Sequence, residues 1–462
     1  MKFNFDNSYL LLPTDFYELT ELNPVSAPAV LLVNDSLAAQ LGLDAEMVER
    51  SAEELSGSSR IPHSEPLAQA YAGHQFGHFT MLGDGRAIVL GEHITPSGER
   101  FDIQLKGSGR TAFSRMGDGR APLGPMLREY IISEAMHALH IPTTRSLAVT
   151  STGESVQRDT RLPGAVLTRV AASHIRVGTF EYAARINQVK ALADYTIQRH
   201  YPELESSETP YIDFLYAVID RQAALIAKWQ CVGFIHGVMN TDNMAISGET
   251  IDYGPCAFMD AFDRAAVFSS IDRQGRYAYY NQPGIGQWNL ARFSECLLPL
   301  LNTDTEQAIA IAKEALSSYE TAFDRYWTEG MAAKIGIADP LKEDRELIGE
   351  LLAVMEDLEL DFTQTFRKLS LHEPVDAALD SWKENWRTRI QHEDSPYELM
   401  KKVNPAVIPR NHLVEKAVNS MDLMFFKELL RVVKDPYNDQ HPAIYKTPAE
   451  DSEQVFQTFC GT

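Results

Sequence analysis

The sequence feature that most constrains this chain is a short polar segment, HGVMNTDN at 236–243, followed nine residues later by the triplet DYG at 252–254. Asn243 and Asp252 offer an amide oxygen and a carboxylate, which are ligands that Mg²⁺ uses together with the phosphates of a nucleotide. Asp242 is the only acid within 236–243. The pattern therefore predicts a metal–nucleotide site with Asn243 and Asp252 as metal ligands.

The spacing of these residues resembles that of protein kinases, in which H-R-D-x-x-x-x-N precedes a metal-binding Asp. The kinase Asp two residues after the His accepts the substrate's hydroxyl proton, but this chain has Val238 there. An aliphatic side chain cannot accept a proton, so the predicted active site is of the pseudokinase type. We predict that Asp242 is the general base; alternatively it supports the metal site or caps the loop. His236 is expected to hold the loop by hydrogen bonds.

The order of predicted elements indicates an α+β fold with two lobes, like that of a protein kinase. Strand-like sequence dominates 71–106 and is followed by one helix at about 125–140, whereas the sequence from about 187 onward is mostly helical. We predict four regions: an N-terminal extension that packs on the lobes (1–70), a β-rich nucleotide-binding N-lobe with one key helix (71–185), a larger helical C-lobe with the catalytic loop and metal site (186–432), and a tail that carries Cys460 (433–462).

Two β-hairpins are predicted along the chain. The first surrounds the turn GDGR at 83–86, because Asp-Gly between apolar runs is a strong hairpin signal. The second joins the short runs 244–246 and 250–252 across Ser-Gly-Glu.

Lys106 ends a strand on which Phe101, Ile103 and Leu105 share one face, so the lysine lies on the polar face. A lysine held there can reach phosphates, and in kinases a helix carboxylate orients it. Glu129 is the first candidate for that carboxylate and Glu134 is the second. The alternative is a solvated lysine at the end of a strand.

Two glycine- and arginine-bearing turns flank this strand. Gly83, Gly85 and Arg86 form a candidate phosphate-covering turn, since glycines let the backbone approach a ligand closely. The same GDGR sequence recurs at 117–120. Either turn alone is weak evidence for nucleotide binding, because an ordinary turn has the same composition.

Arg169 and Arg176 are candidate anion ligands. Arg169 lies within an aliphatic strand-like run, where a buried arginine needs an anionic partner. A salt bridge to one of the many acids is the alternative, and His174 nearby is expected to be structural.

The net charge and the distribution of apolar residues argue against binding to nucleic acid and to membranes. The chain has 64 acids against 42 bases and a net charge of −22, so general nucleic-acid binding is not expected. It has no apolar run of about 18 residues, and its N-terminus lacks the features of a signal peptide. We therefore expect a cytoplasmic protein without membrane contacts.

Four blocks of the sequence together resemble the selenoprotein O family, and the similarity covers nearly the whole chain. The resemblance implies a kinase fold and protein adenylyltransferase activity, with Mg²⁺ or Mn²⁺ in the site. It also implies that ATP binds in an orientation flipped relative to kinases, so that AMP passes to Ser, Thr or Tyr hydroxyls of protein substrates and pyrophosphate leaves. The blocks are 71–92, 102–135, 236–260 and 404–412.

The resemblance also implies a role for each candidate residue. Three cations would hold the outer phosphates, one carboxylate would orient the lysine, and two oxygen ligands would hold the metal. The residues are Lys106, Arg169 and Arg176 for the phosphates, Glu129 for orientation, Asp242 as proton acceptor, Asn243 and Asp252 for the metal, and Gly83, Gly85, Arg86, Asp118 and Gly119 as further nucleotide contacts.

The family resemblance further implies a redox disulfide between Cys256 and Cys460. Two other functions remain open on the sequence alone. One is a kinase-like phosphotransferase that uses Asp242 as its base, and the other is a catalytically silent nucleotide-binding scaffold.

Overall fold

The strands of the first half form one large antiparallel sheet. A computed structural model describes residues 1–459. The main path of the sheet has the order β1-β3-β6-β7-β10-β9-β2, with β8 paired to β10, while β4–β5 and β11–β12 form separate two-stranded sheets. The strands are β1 (Tyr17–Leu19), β2 (Ala29–Val33), β3 (Leu67–Gln69), β4 (Ala72–Gln75), β5 (His78–Met81), β6 (Ala87–Ile94), β7 (Arg100–Lys106), β8 (Ala121–Pro122), β9 (Arg145–Gln157), β10 (Arg161–Ala171), β11 (Phe234–Ile235) and β12 (Ala257–Phe258).

The second half of the chain is helical, so the molecule is a mixed α/β protein with an antiparallel sheet and a helical half. None of the helices described is long and apolar enough to cross a membrane. The helices are α1 (Asp35–Gln40), α2 (Ala45–Glu49), α3 (Ala52–Leu55), α4 (Leu123–Ala138), α5 (Val177–Arg185), α6 (Val189–His200), α7 (Pro210–Val232), α8 (Gln282–Leu301), α9 (Thr305–Lys334), α10 (Asp344–Asp357), α11 (Phe362–Ser370), α12 (Asp380–Ile390), α13 (Pro396–Val403), α14 (Asn411–Ser420) and α15 (Leu423–Val433).

The register of β7 and β10 brings two predicted site residues to one face of the sheet. Arg169 lies opposite Gln104, and Leu167 lies opposite Lys106. Because side chains two apart along a strand share a face, Gln104, Lys106 and Arg169 lie on the same side. That side faces α4, and the other side packs against α1–α3.

Helix α4 is buried along most of its length, because it lies between the sheet and the C-terminal helices α14 and α15. Its apolar residues Leu127, Tyr130 and Ile131 belong to the main core. The ring centroid of Tyr130 lies 6.4 Å from that of Phe426 in α15. Polar residues of α4 therefore also lie in a buried environment, where a carboxylate needs a cationic partner.

The first predicted hairpin is wrong. Strand β5 pairs with β4, not with β6, and the turn at 83–86 connects two different sheets. The reason is the two-residue turn Phe76-Gly77, whose φ values of 51° and 87° are both positive. Such a turn matches the natural twist of a strand pair and closes the β4–β5 hairpin locally.

The second predicted hairpin is also wrong. Ala245 bridges Arg176 and Thr250 bridges Thr143, so the two runs pair with other segments and not with each other. The segment 244–252 is therefore hydrogen-bonded both to the start of α5 and to the connection between α4 and β9.

Candidate active site

A cavity of about 370 Å³ lies where β7, β10, the start of α5 and the segment 238–243 meet. It collects most of the predicted site residues, together with several that the sequence did not indicate. Its walls are formed by Gln75, Phe76, Asp84, Gly85, Arg86, Ala87, Lys106, Arg169, Arg176, Val238, Asn240, Asp242, Asn243, Asp252, Gly254, Pro255 and Ile271.

Three cations and two carboxylates form a connected cluster in this cavity. Lys106 Nζ donates to Glu129 Oε2 at 2.6 Å and to Asp252 Oδ1 at 3.0 Å. Arg169 Nε donates to Glu129 Oε1 at 2.7 Å, and its Nη2 donates to Asp252 Oδ1 at 2.6 Å. Arg176 Nη1 donates to Asp252 Oδ2 at 2.5 Å. The cluster has one more positive charge than negative charges, which suits an anionic ligand.

The charges of this cluster stabilise one another. Burial alone would raise the pKa of Asp252, but Lys106, Arg169 and Arg176 outweigh it and hold that pKa well below the usual range. Burial likewise opposes ionisation of Glu129, and Arg169 and Lys106 lower its pKa overall. Both carboxylates are therefore ionised at neutral pH and keep the cations in place.

Glu129 rather than Glu134 is the partner of Lys106. Glu134 accepts hydrogen bonds from Arg145 Nε and Nη2, both at 2.8 Å. Only Glu129 lies on the side of α4 that faces the polar ends of β7 and β10.

The carboxylate of Asp242 is buried at the edge of the cavity. Its Oδ1 has no hydrogen-bond partner within residues 1–459, and Gln75 Nε2 lies 3.5 Å from its Oδ2. Burial raises the pKa of Asp242 to about 6, although Arg176 acts in the opposite direction. A Cβ atom at Gly73 would overlap the carboxylate, so the hairpin can approach it only because residue 73 is glycine.

Three residues that sequence reasoning missed hold the backbone next to Asp242. Thr241 Oγ1 donates to Glu181 Oε2 at 2.6 Å and accepts from the backbone N–H of His74 at 2.7 Å. His74 Nδ1 also pairs with Glu181 Oε1. These partners are separated by 60 to 167 residues in sequence, so no local pattern could have indicated them.

Asn243 and Asp252 lie in the same cavity and fit a hard divalent cation. Asn243 Nδ2 donates to the carbonyl of Val238 at 2.9 Å, which leaves the amide oxygen as its available ligand atom. Asp252 has a φ of 62°, a left-handed conformation that Asp tolerates better than most residues. No group of three or more His, Cys, Asp or Glu suited to a metal occurs in the described part of the chain. A metal here would therefore need phosphate oxygens or water to complete its shell.

The loop that supports this site is fixed by His236. The buried imidazole has its Nε2 2.9 Å from the carbonyl oxygen of Ile251, and the backbone N–H of His236 donates to Gln282 Oε1 at 3.0 Å. The first contact ties the segment 236–243 to the segment that carries Asp252, and the second ties it to the start of α8.

Of the remaining predicted nucleotide contacts, some line the cavity and others do not. Gly85 and Arg86 line the cavity, whereas Gly83 packs against the ring of Phe113. Asp118 lies outside the cavity and pairs with Arg158 at 3.0 Å. Gly119 packs against the backbone of Gly109.

Asp84 is a further cavity residue that sequence reasoning missed. One of its carboxylate oxygens accepts the backbone N–H of Gln69 at 3.1 Å, and burial raises its pKa to about 6. It lies inside the GDGR turn, but the sequence pattern drew attention to the glycines and not to the acid between them.

Comparison with known proteins identifies the family of this chain. The family model described as "Protein adenylyltransferase SelO" matches residues 1–434, and the chain belongs to this family. Relatives named "Protein nucleotidyltransferase YdiU" from Bacillus cytotoxicus, Anoxybacillus flavithermus and Geobacillus kaustophilus are each 57% identical to it. The alignments cover 99% of this chain in all three cases, and 98%, 99% and 99% of the relatives respectively.

Proposed function

We propose that this protein nucleotidyltransferase moves AMP from ATP to Ser, Thr or Tyr hydroxyls of protein substrates. The observation that carries the proposal is the position of Asp242 beside a cluster of three cations, in a cavity where Val238 replaces the kinase base. The class of enzyme follows from the family. The residue roles follow from the arrangement of charges described above.

The cation cluster is suited to hold the two outer phosphates. Lys106, Arg169 and Arg176 donate to Asp252 when no ligand competes. Phosphate oxygens offer these donors alternative acceptors of greater charge, so a nucleotide can take them over and free the carboxylate. Cations that hold the β- and γ-phosphates also stabilise the charge that develops on departing pyrophosphate.

Asp242 is proposed as the proton acceptor. The hydroxyl oxygen of the substrate attacks the α-phosphorus, and the bond from that phosphorus to the bridging oxygen of the β-phosphate breaks. The hydroxyl proton passes to Asp242, and pyrophosphate leaves with the electron pair of the broken bond. An acid with a pKa near 6 is largely ionised at neutral pH yet still basic enough to accept a proton.

Asn243 and Asp252 would hold Mg²⁺ or Mn²⁺. When bound, the ion would neutralise charge on the phosphates. The hydrogen bond from Asn243 to the carbonyl of Val238 orients its amide oxygen for metal binding. Asp252 would become available to the metal when Lys106, Arg169 and Arg176 bind phosphate instead.

We also propose the kinase-like two-lobed arrangement and the four regions given above, 1–70, 71–185, 186–432 and 433–462. The sheet with α4 on one face, followed by a helical half that carries the loop at 236–243, supports that interpretation. The cytoplasmic location without membrane contacts is likewise proposed from the sequence, and the net charge of −22 supports the proposal that the protein does not bind nucleic acid.

Redox control through Cys256 and Cys460 remains part of the proposal. Cys256 is buried two residues after the DYG triplet, and Thr458 Oγ1 of the tail donates to the carbonyl of Pro255 at 2.6 Å. Cys460 lies outside the described residues. Replacing either cysteine with serine should make activity independent of oxidant, and equal oxidant sensitivity of wild type and variants would contradict this.

Intact-mass spectrometry of a candidate substrate after incubation with ATP and Mg²⁺ tests the proposed function. An adenylyl adduct supports it. A phosphoryl adduct supports the phosphotransferase, and no adduct on any candidate, combined with thermal stabilisation by ATP, supports the silent scaffold.

A further inference from the structure

Three arginines and three rings form one surface beside the cavity, which we call the arginine–tryptophan surface. The guanidinium carbons of Arg276 and Arg292 lie 4.9 and 5.0 Å from the centre of the Trp288 ring. The surface combines the β4–β5 hairpin, α5, α8 and the connection before α8. Its members are His74, Phe79, Arg185, Arg276, Trp288 and Arg292.

The rings connect the arginines into one continuous patch. The centroid of the His74 ring lies 5.4 Å from that of Trp288 and 5.4 Å from that of Phe79. The guanidinium carbon of Arg185 lies 4.5 Å from the centre of the Phe79 ring. A guanidinium stacked on a ring keeps its N–H edges available for a second, anionic partner.

These arginines are poorly neutralised within the chain. Among residues 1–459, neither Arg185 nor Arg276 forms an ion pair, and Arg292 pairs only with the exposed Glu295, at 2.6 Å. The Nε atoms of Arg276 and Arg292 are buried donors without a hydrogen-bond partner in the same residues. In a chain with 64 acids and 42 bases, arginines without carboxylate partners indicate a surface kept for an external anion.

The nearby acids are already occupied. Asp272 accepts the backbone N–H groups of Arg276 at 2.9 Å and of Tyr277 at 2.7 Å. Glu181 is buried and binds His74 and Thr241. Asp272 thus contacts backbone N–H groups rather than guanidinium groups. Burial raises the pKa of Glu181 and the charge of Arg292 acts in the opposite direction, so Arg292 interacts with Glu181 at longer range, although the two form no ion pair within residues 1–459.

The surface adjoins the cavity through the β4–β5 hairpin. Gln75 and Phe76 line the cavity, and the Phe76 ring packs 5.1 Å from that of Tyr277. Gly77 follows directly, and a Cβ there would lie 3.8 Å from the guanidinium carbon of Arg276. The β4–β5 hairpin therefore borders both the cavity and the arginine–tryptophan surface, and a chain that crosses this hairpin would reach both.

We propose that the arginine–tryptophan surface binds an acidic segment of the protein that receives AMP. This inference rests on the proposed function and specifies its substrate class. The arginines bind carboxylates flanking the target hydroxyl, and the aromatic rings support the guanidinium groups in a fixed orientation. Elsewhere the negative charge of the enzyme repels acidic chains. A locally positive surface therefore attracts an acidic segment and also fixes its position relative to the active site.

A direct binding experiment tests the proposal without turnover. Fluorescein-labelled peptides with one Tyr flanked by Glu, by Gln or by Lys are titrated with the full-length protein, and anisotropy is followed at low and high salt. We expect only the Glu peptide to bind, with affinity that falls as salt rises. Arg276→Gln and Arg292→Gln should each weaken binding roughly tenfold.

Matched variants distinguish loss of binding from loss of fold. Arg185 is exposed, so Arg185→Gln should keep the fold and still weaken binding of the Glu peptide. Arg276→Lys keeps the positive charge and should therefore retain part of the binding affinity. Arg431→Gln is the control, because Arg431 is an exposed arginine of α15 paired with Glu428. Thermal unfolding of each variant verifies that it is folded.

Three results would overturn the proposal. They are equal binding of the Glu and Gln peptides, binding that is unchanged in both Arg185→Gln and Arg276→Gln, and displacement of the Glu peptide by inorganic pyrophosphate. The last result would assign the surface to nucleotide phosphates. Because anisotropy requires no AMP transfer, a protein that binds the Glu peptide but transfers no AMP would contradict the proposed function and leave the assignment of the surface intact.

Discussion

Lys106 Nζ and Asp252 Oδ1 lie 3.0 Å apart, so the predicted phosphate-binding lysine contacts the predicted metal-binding aspartate directly. Arg169 and Arg176 contact the same carboxylate. Asp252 therefore neutralises part of the positive charge of these three cations. In the proposed reaction, a nucleotide takes over the cations, which links nucleotide binding to the availability of Asp252 as a metal ligand.

Replacing Asp252 with Ala tests whether its carboxylate holds the three cations. Without the carboxylate, the three cations are balanced by Glu129 alone, and the free energy of unfolding should fall by roughly 3–5 kcal/mol. Inorganic pyrophosphate without divalent metal should then raise the melting temperature of the variant more than that of the wild type. Thermal unfolding with and without pyrophosphate measures both effects.

The control for this experiment is Glu46→Ala, since Glu46 is an exposed carboxylate of α2 paired with Arg50 at 3.3 Å. It should change neither stability nor the response to pyrophosphate. An Asp252→Ala protein with wild-type stability and a wild-type pyrophosphate response would show that the carboxylate does not hold the cations.

Replacing Asp242 with Asn should abolish proton acceptance while keeping the shape of the side chain. General-base catalysis contributes roughly 10²–10⁴-fold to a rate, so kcat should fall by that factor. ATP binding, followed as ligand-induced thermal stabilisation, should stay unchanged because the cation cluster is intact. A variant that retains full activity would remove Asp242 from the mechanism.

Thr241 is expected to position Asp242 through its hydroxyl. Thr241→Val removes the bonds to Glu181 and His74 at nearly constant volume, whereas Thr241→Ser retains the hydroxyl. We expect kcat to fall at least about tenfold in the valine variant and to recover largely in the serine variant, with the KM for ATP unchanged in both. If both variants lose activity equally, the methyl group and not the hydroxyl is important.

Glu249 gives the protein a pH-dependent stability. It is half-buried and accepts hydrogen bonds from the Ala172 N–H at 2.9 Å and the Ser247 hydroxyl at 3.1 Å. Burial of its carboxyl group raises its pKa from 4.5 to about 7. Because the folded pKa is above the unfolded one, the contribution of Glu249 is fully present below about pH 4.5. It is lost as the pH rises through about 7.

Glu249→Gln should remove this dependence, because the amide oxygen can still accept while no charge is buried. Relative to wild type, the variant should gain up to about 3 kcal/mol of unfolding free energy between about pH 5 and about pH 8. Denaturant unfolding at the two pH values measures the difference. Parallel pH curves for the two proteins would show that Glu249 does not ionise in this range.

The sequence predicted the Lys106–Glu129 contact because it depends on local signals. Strand alternation fixes the face of the lysine, and the order of the predicted elements places one helix after the strand, where it can pack against that face. The position of Arg169 follows from the same alternation once β7 and β10 pair. These parts of the site are encoded by short-range periodicity.

Long-range contacts were not predictable in the same way. The turn at 83–86 has the composition of a hairpin, but β4 competes for β5 through the tighter turn at Phe76-Gly77. The contact of Thr241 with Glu181, 60 residues away, depends on how α5 packs against the loop. Such pairings are decided by tertiary packing, which no local pattern contains.

In the proposed reaction, the outer two phosphates leave together while AMP is transferred. Incubation of the protein and a substrate with ATP labelled at either the α- or the γ-phosphate tests it most directly. We expect the α-label to appear on the substrate and the γ-label to appear in released pyrophosphate. Transfer of the γ-label to the substrate, with the α-label remaining in ADP, would contradict it.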